Sequence, residues 1–174
     1  MVCQPTDAAV PADPDTVVGE GKFVLIRVDD EVRVGVDVNS MTTVDGKTKT
    51  EDMKYIETME AMDLMRDDIA LTFRKDYLGQ YRNSRASQML FVSAVNEYLR
   101  QLSEENVLDP DHQNRADIDV SAQRNAWIGS GKAEAADWTD DQVKAAPFKR
   151  TVYLSGDVKI LGSMVNLEFV VNLM

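Results

Sequence analysis

The chain has 174 residues, with a hydrophobic fraction of 44% and a charged fraction of 28%, which suits a single folded domain with a real core. Thirty acidic against nineteen basic residues leave a net charge of −11. That disfavours nucleic-acid backbones and anionic membranes as partners, since both are polyanions. One cysteine, Cys3, excludes an internal disulfide, and no run of about twenty apolar residues is available to span a bilayer.

Residues 1–20 combine Pro5, Pro11 and Pro14 with Asp7, Asp13 and Asp15 and show no hydrophobic period. This stretch is expected to be a linker or severed connection, poorly ordered and not an ordinary signal peptide. From residue 21 onward the chain reads as a domain. Phe23 to Val28 predicts a strand, Asp29-Asp30-Glu31 a turn, and the alternating Val32, Val34, Val36 and Val38 a second strand. Gly35 inside it marks a bulge or a close backbone approach. A turn at Asp45-Gly46 leads to a helix start near Thr50, with Glu51 and Asp52 placed for the helix dipole.

The first helix is predicted over about Glu51 to Leu78. Ile56, Met59, Met62, Met65, Ile69 and Phe73 step by three and four into one apolar stripe. Met53, Leu64, Leu71 and Leu78 form a second face, so the helix is expected to pack on two sides, with Gly79 as its stop. Asn83 or Ser84 caps a second helix, whose Leu90, Phe91, Ala94, Val95, Tyr98, Leu99 and Leu102 predict one broad buried face. Asp109-Pro110 closes it.

Residues 117–128 begin as a short strand and run into a helical or irregular piece ending at Gly129. Trp138 to Asp141 opens a brief helix that closes before Pro147. Val152, Leu154, Val158 and Ile160 alternate with polar residues, and Gly162 separates this strand from the last one. There Val165, Leu167, Phe169, Val171 and Leu173 alternate with Asn166, Glu168, Val170 and Asn172, which predicts a strand with one apolar face. Such a strand serves either a local sheet or a neighbour's. The order of elements indicates α+β: a small, mostly antiparallel sheet with two main helices packed against it, and a terminal strand available for intersubunit sheet completion.

Little in the chain points to catalysis. His112 is the lone histidine, which limits metal sites and serine–histidine relays. An EF-hand starting at Asp109 would need glycine where Asn114 stands and a carboxylate where Val120 stands. Asp67 and Asp68 point about 100° apart on a helix and cannot face one bond. Asp63 and Asp67 share a face, but Arg66 and Arg74 lie within reach as surface partners. Gly19-x-Gly21 is too short for a dinucleotide fingerprint. Met53, Met59, Met62, Met65 and Met89 at helical spacing read as core packing rather than as a promiscuous groove. No catalytic residue, cofactor or metal is therefore expected, and the protein is expected not to be an enzyme.

Several stretches resemble the C-terminal domain of contractile phage tail sheath proteins, of the myovirus and defective-prophage type. They are Val36-Asp37-Val38-Asn39-Ser40, Met62 to Ile69, Phe73, Tyr77-Leu78-Gly79-Gln80, Asn83-Ser84, Ala94 to Tyr98, Asp117 to Asn125, and the two closing strands. The likeness covers roughly residues 19–174 and keeps order and spacing. Members of that family are usually several hundred residues long, so the resemblance implies a C-terminal fragment or an unusually short member, with 21–174 as the domain and about 163–174 as its arm.

The resemblance also implies a structural subunit linked to its neighbours by exchanged terminal strands, whose contraction drives a tail tube through a target envelope. Val165, Leu167, Phe169, Val171 and Leu173 would form the arm. Phe23, Leu25, Val32, Val34, Val36 and Val38 would line the receiving hairpin. The implied partners are other sheath subunits in a helical homo-oligomer, the tail tube protein, the baseplate and the tail terminator, with no nucleic acid and no membrane. The isolated fragment could remain monomeric. The implied location is a virion, prophage or tailocin tail assembled in the bacterial host cytoplasm. Two competing readings are a small monomeric α+β binding or scaffold domain without strand exchange, and a carboxylate-dependent hydrolase.

Overall fold

The computed structural model describes residues 14–29, 31–165 and 167–171. They fall into two compact units, one built from the residues up to Asp63 together with those from Gly162 on, the other spanning Leu64–Leu161. Where one small sheet was expected, two separate antiparallel pairs occur among the described residues. Residues 1–13 lie outside the description, as do Asp30, Asn166, Asn172, Leu173 and Met174.

The first unit opens with a short helix, α1 (Pro14–Gly19), where the composition suggested no folded element. Proline fits a first helical turn because its missing N–H would have no partner there. β1 (Leu25–Val28) and β2 (Glu31–Val34) then form a hairpin in which Leu25 faces Val34 and Arg27 faces Val32. Both strands are shorter than the alternating runs in the sequence. The reason lies at Gly35, whose N–H donates to the Val24 carbonyl at 3.0 Å. A Cβ at Gly35 would sit 3.2 Å from methyl groups of both Val24 and Ile26, so this is the close approach that glycine permits.

Beyond Gly35 the chain leaves the hairpin and attaches to the next helix. Val38 bridges Tyr55, and the Asn39 N–H donates to the Lys54 carbonyl at 2.8 Å. Asp37 accepts the Ile56 N–H on its carbonyl and the Glu57 N–H on its carboxylate, at 2.7 and 2.9 Å. These are orphan donors at a helix start, capped here from a distant part of the chain. The pairing of Tyr55 also explains why the expected long helix is broken. Glu51–Lys54 is a 3-10 turn, Tyr55 is extended, and α2 runs from Ile56 to Thr72. Between the hairpin and α2, the Asp45 carboxylate accepts the N–H groups of Lys47, Thr48 and Lys49, each at 2.8 Å. These bonds, with the Thr48 hydroxyl as the largest contributor, hold its carboxyl far below the usual carboxylate range.

The second unit is organised by α3 (Arg85–Glu104), capped by Ser84 through the Ser87 N–H. Its Phe91, Val95, Leu99 and Leu102 meet Met65, Leu108 and Ala116 in the main core, with Ile69 and Phe73 packed beside them. Val92 and Gln88 are buried on α3 as well. Leu90 departs from the expectation: it is 49% exposed, being one residue, or about 100°, off the buried row. The second face of α2 departs too, since Leu64, Leu71 and Leu78 are exposed rather than packed. After Thr72 the helix widens into a π-turn, Phe73–Tyr77, closed by the Leu78 N–H on the Phe73 carbonyl at 2.9 Å.

β3 (Arg115–Ile118) pairs with β4 (Leu154–Asp157), Ala116 lying opposite Gly156. The ladder is continued loosely by Leu108 bridging Ile160. α3 is fixed to this sheet by the Asn96 amide, which donates to the Ala116 carbonyl at 3.0 Å and accepts the Ala116 N–H at 2.7 Å. α4 (Val120–Gly129), capped by Asp119, is the helical of the two forms the sequence left open there, and α5 (Asp140–Ala145), opened by a Thr139–Gln142 capping box, starts where a brief helix was expected. Buried Gln123 ties them by donating to the Val143 carbonyl at 2.7 Å.

Two outcomes follow for stability. Leu108 is 0% exposed, so Leu108→Ala should cost roughly 2–5 kcal/mol in urea melts, whereas Leu90→Ala should stay within about 0.5 kcal/mol. A depressed carboxyl stabilises the folded loop above its ordinary value and loses that contribution as pH falls through the lowered one. The amide resonances of Lys47, Thr48 and Lys49 should therefore keep their shifts through mild acid and move together only in strong acid.

Candidate assembly surface

The terminal segment leaves the second unit at Leu161 and is clasped at once in the first. The Ser163 N–H donates to Glu57 Oε1 at 2.8 Å, and the Ser163 hydroxyl donates to Glu57 Oε2 at 2.6 Å. Glu57 sits in the first turn of α2, whose start is held by Asp37. A bidentate carboxylate contact of this kind fixes direction as well as position. Gly162 suits the approach, since a Cβ there would lie 3.3 Å from Glu57 Oε1.

Beyond this clasp, the described arm residues make no ladder with any described strand. Met164 and Val165 are exposed, Leu167 is 89% exposed, Phe169 80%, and Val170 and Val171 are nearly as open. The alternation in the sequence is thus an apolar row without a covering sheet among the described residues. Leu173, the last member of the row, lies outside them.

The expected receiving residues are placed unequally. In an antiparallel pair, opposite residues share a face, so Leu25 and Val34 lie with Arg27 and Val32, and Ile26 lies with Arg33 on the other side. Phe23, Leu25, Val32 and Val34 are all substantially exposed, so the first of these faces is open and mostly apolar. Val24 turns inward and is buried. Val36 is half-buried, and Val38 is buried with its backbone already bridged to Tyr55. No third strand joins β1 or β2 among the described residues.

Groups with possible chemistry elsewhere are absorbed into local contacts. The Tyr98 hydroxyl donates to Asp68 at 2.7 Å, and burial together with that carboxylate raises the phenol well above its usual range. Asp67 pairs with Arg66. Asp109 holds Lys159 at 2.8 Å, and that contact, with the Asp111 N–H, lowers its carboxyl. His112 Nε2 lies 3.6 Å from Asp157. No cluster of three or more His, Cys, Asp or Glu side chains suited to a metal ion occurs among the described residues.

The sequence reading missed Glu57 and Ser163. A glutamate in a first helical turn reads as a dipole partner, and nothing local points it at a serine so far along the chain. Only the break at Gly162, just before the alternating run, hinted that the arm has a fixed root.

Residues 48–174 match the family described as phage tail sheath C-terminal domain. The tail sheath protein of Clostridium phage phiCD119 is 24% identical over 157 residues, covering 90% of this chain and 43% of that protein. The chain therefore spans less than half the length of the curated relative it matches.

The clasp itself is testable. Glu57→Ala removes both acceptors of Ser163, so amide exchange at Ser163 should speed up while the melting temperature moves little, since exposed contacts of this kind contribute about 0.5–1.5 kcal/mol each.

Proposed function

Since the chain belongs to the phage tail sheath C-terminal domain family, we propose that it is the part of a contractile sheath subunit that links neighbouring subunits by strand exchange. In this reading the arm, Val165, Leu167, Phe169, Val171 and Leu173, leaves its own subunit and adds to the hairpin of another. Phe23, Leu25, Val32, Val34 and the half-buried Val36 line the receiving face, while Val38 supports it from within. The supporting observation is the exposed apolar row rooted at Glu57 and Ser163, in a unit whose own hairpin leaves an apolar face open.

The physical case rests on unpaired backbone and uncovered side chains. An added strand gains several hydrogen bonds worth roughly 0.5–1.5 kcal/mol each. Covering the apolar row adds on the order of 1.5–3 kcal/mol per side chain before ordering costs. A tether of that strength outlasts the weaker polar contacts that must break and re-form when a sheath changes lattice. The polypeptide carrying this domain would form a helical homo-oligomer of the myovirus or defective-prophage type. It would surround a tail tube, meet a baseplate and a terminator, assemble in the host cytoplasm and end in the particle's tail.

The test uses the full sheath polypeptide that carries this domain. Deleting 163–174 should abolish tube assembly followed by light scattering and electron microscopy. Phe169→Asp should raise the concentration needed for assembly by roughly tenfold or more, as expected for losing about 1.5–3 kcal/mol of apolar burial. Unaltered assembly by the truncated protein would instead favour a domain that keeps its terminal segment to itself.

A further inference from the structure

A second surface, in the unit Leu64–Leu161, is not used by strand exchange. Where α2 widens into the π-turn and the chain reverses into α3, Phe73, Tyr77, Phe91 and Val152 enclose a pocket of about 90 Å³. Tyr77 is packed against Phe91 at 4.7 Å between ring centres and against Tyr81 at 5.4 Å. Leu78, Tyr81, Arg82 and Arg150 form an exposed rim. A π-turn widens the helix by one residue per turn, and such insertions recur at binding sites.

Gln88, one of the residues lining the pocket, has a buried polar group with unused capacity. The Asn83 amide nitrogen donates to the carbonyls of Phe148, Lys149 and Thr151 at 3.1–3.3 Å, which fixes its oxygen toward Gln88. Gln88 Nε2 donates to that oxygen at 2.9 Å. The orientation of the Gln88 amide is thereby set, and its Oε1 is left buried without a hydrogen-bond partner, in a side chain only 2% exposed. An unsatisfied buried acceptor calls for a donor from outside. Neither Arg82 nor Arg150 has an ion-pair partner among the described residues, and this basic rim stands out in a chain of net charge −11.

We infer that this pocket docks an acidic segment of a partner protein, which inserts one apolar side chain, donates a hydrogen bond to Gln88 Oε1 and sets a carboxylate against Arg82 and Arg150. The size limits the insertion to one side chain, since a cavity of about 150 Å³ is what accepts benzene. Aromatic residues and arginine around a small apolar centre are the composition of an interface hot spot. The unpaired guanidinium groups choose the sign of the partner, because a cationic segment would be repelled there. A small anion alone would leave the aromatic walls and Leu78 uncovered.

The experiment is an NMR titration of the 174-residue chain, following the Gln88 side-chain amide and the Phe91 and Tyr81 signals. The probe is the acetylated, amidated tripeptide aspartyl-leucyl-glutamate. Controls are its lysyl-leucyl-lysine and aspartyl-glycyl-glutamate counterparts and inorganic phosphate. The acidic leucine peptide should shift all three residues and bind about fivefold or more tightly than any control, the scale of an exposed charge pair. The double variant Arg82→Ala, Arg150→Ala should erase the preference over the lysine peptide. Gln88→Leu should weaken binding, and Tyr81→Ala, on the exposed rim, provides a second variant should Gln88→Leu fail to fold. Equal binding of the lysine or glycine peptide, binding of phosphate alone, or no shift in these residues would overturn the inference. Deleting 163–174 should leave the titration unchanged, so failure of strand exchange and failure of this docking site are told apart.

Discussion

The second unit depends on one reciprocal contact, the Asn96 amide closing on both backbone groups of Ala116. A helix surface offers no free backbone donors or acceptors to a strand, so apolar packing alone would let α3 slide along the sheet. A side-chain amide supplies a donor and an acceptor in the spacing of a peptide group and removes that freedom. With α3 fixed, Phe91, Val95, Leu99 and Leu102 fall onto Met65, Leu108 and Ala116, and the partly buried aliphatic residues of β4 and its continuation close the core from the other side. A partly satisfied amide in this position would be worse than an apolar residue, which is why both of its groups are engaged.

The first unit is built by different means. Its hairpin shows an open apolar face, and its helix start is capped by Asp37 instead of by a neighbouring residue. Among its described residues, polar contacts made at a distance, such as Asp37 to Glu57, Asn39 to Met53 and Glu57 to Ser163, take the place of a large buried cluster. Contacts of this kind define geometry at modest net stability. The proposed strand exchange would need that balance, because a hairpin already sealed by its own chain could not accept another.

Much of the second unit was legible because its elements are short and punctuated. Ser84, one of the two caps the sequence offers for the second helix, does cap α3, and the brief helix expected to open within Trp138 to Asp141 starts from Thr139. The long predicted helix fared less well. Hydrophobic period alone carried it from Glu51 to Leu78, but tertiary pairing pulled Tyr55 into a bridge with Val38, and the π-turn displaced the last turn. The period also could not separate Leu64, Leu71 and Leu78 from buried residues, since an apolar stripe looks the same whether its cover lies in the chain or outside it. The arm illustrates the same limit. Its alternation was plain in the sequence, whereas its root at Ser163 depended on a carboxylate far upstream.

Exposed apolar residues on a chain this acidic have a common physical consequence. Net charge keeps copies apart in solution, and the repulsion is screened beyond roughly 8–10 Å at ordinary salt. Apolar contact acts only at short range, so association requires surfaces that fit well enough to overcome the charge. Such repulsion disfavours non-specific clumping, while under the two proposals a partner that aligns its strand with the open hairpin or places a carboxylate between the two arginines would pass the barrier. The acidic composition, which in the sequence disfavours polyanionic partners, would then also act as a filter on the proposed ones.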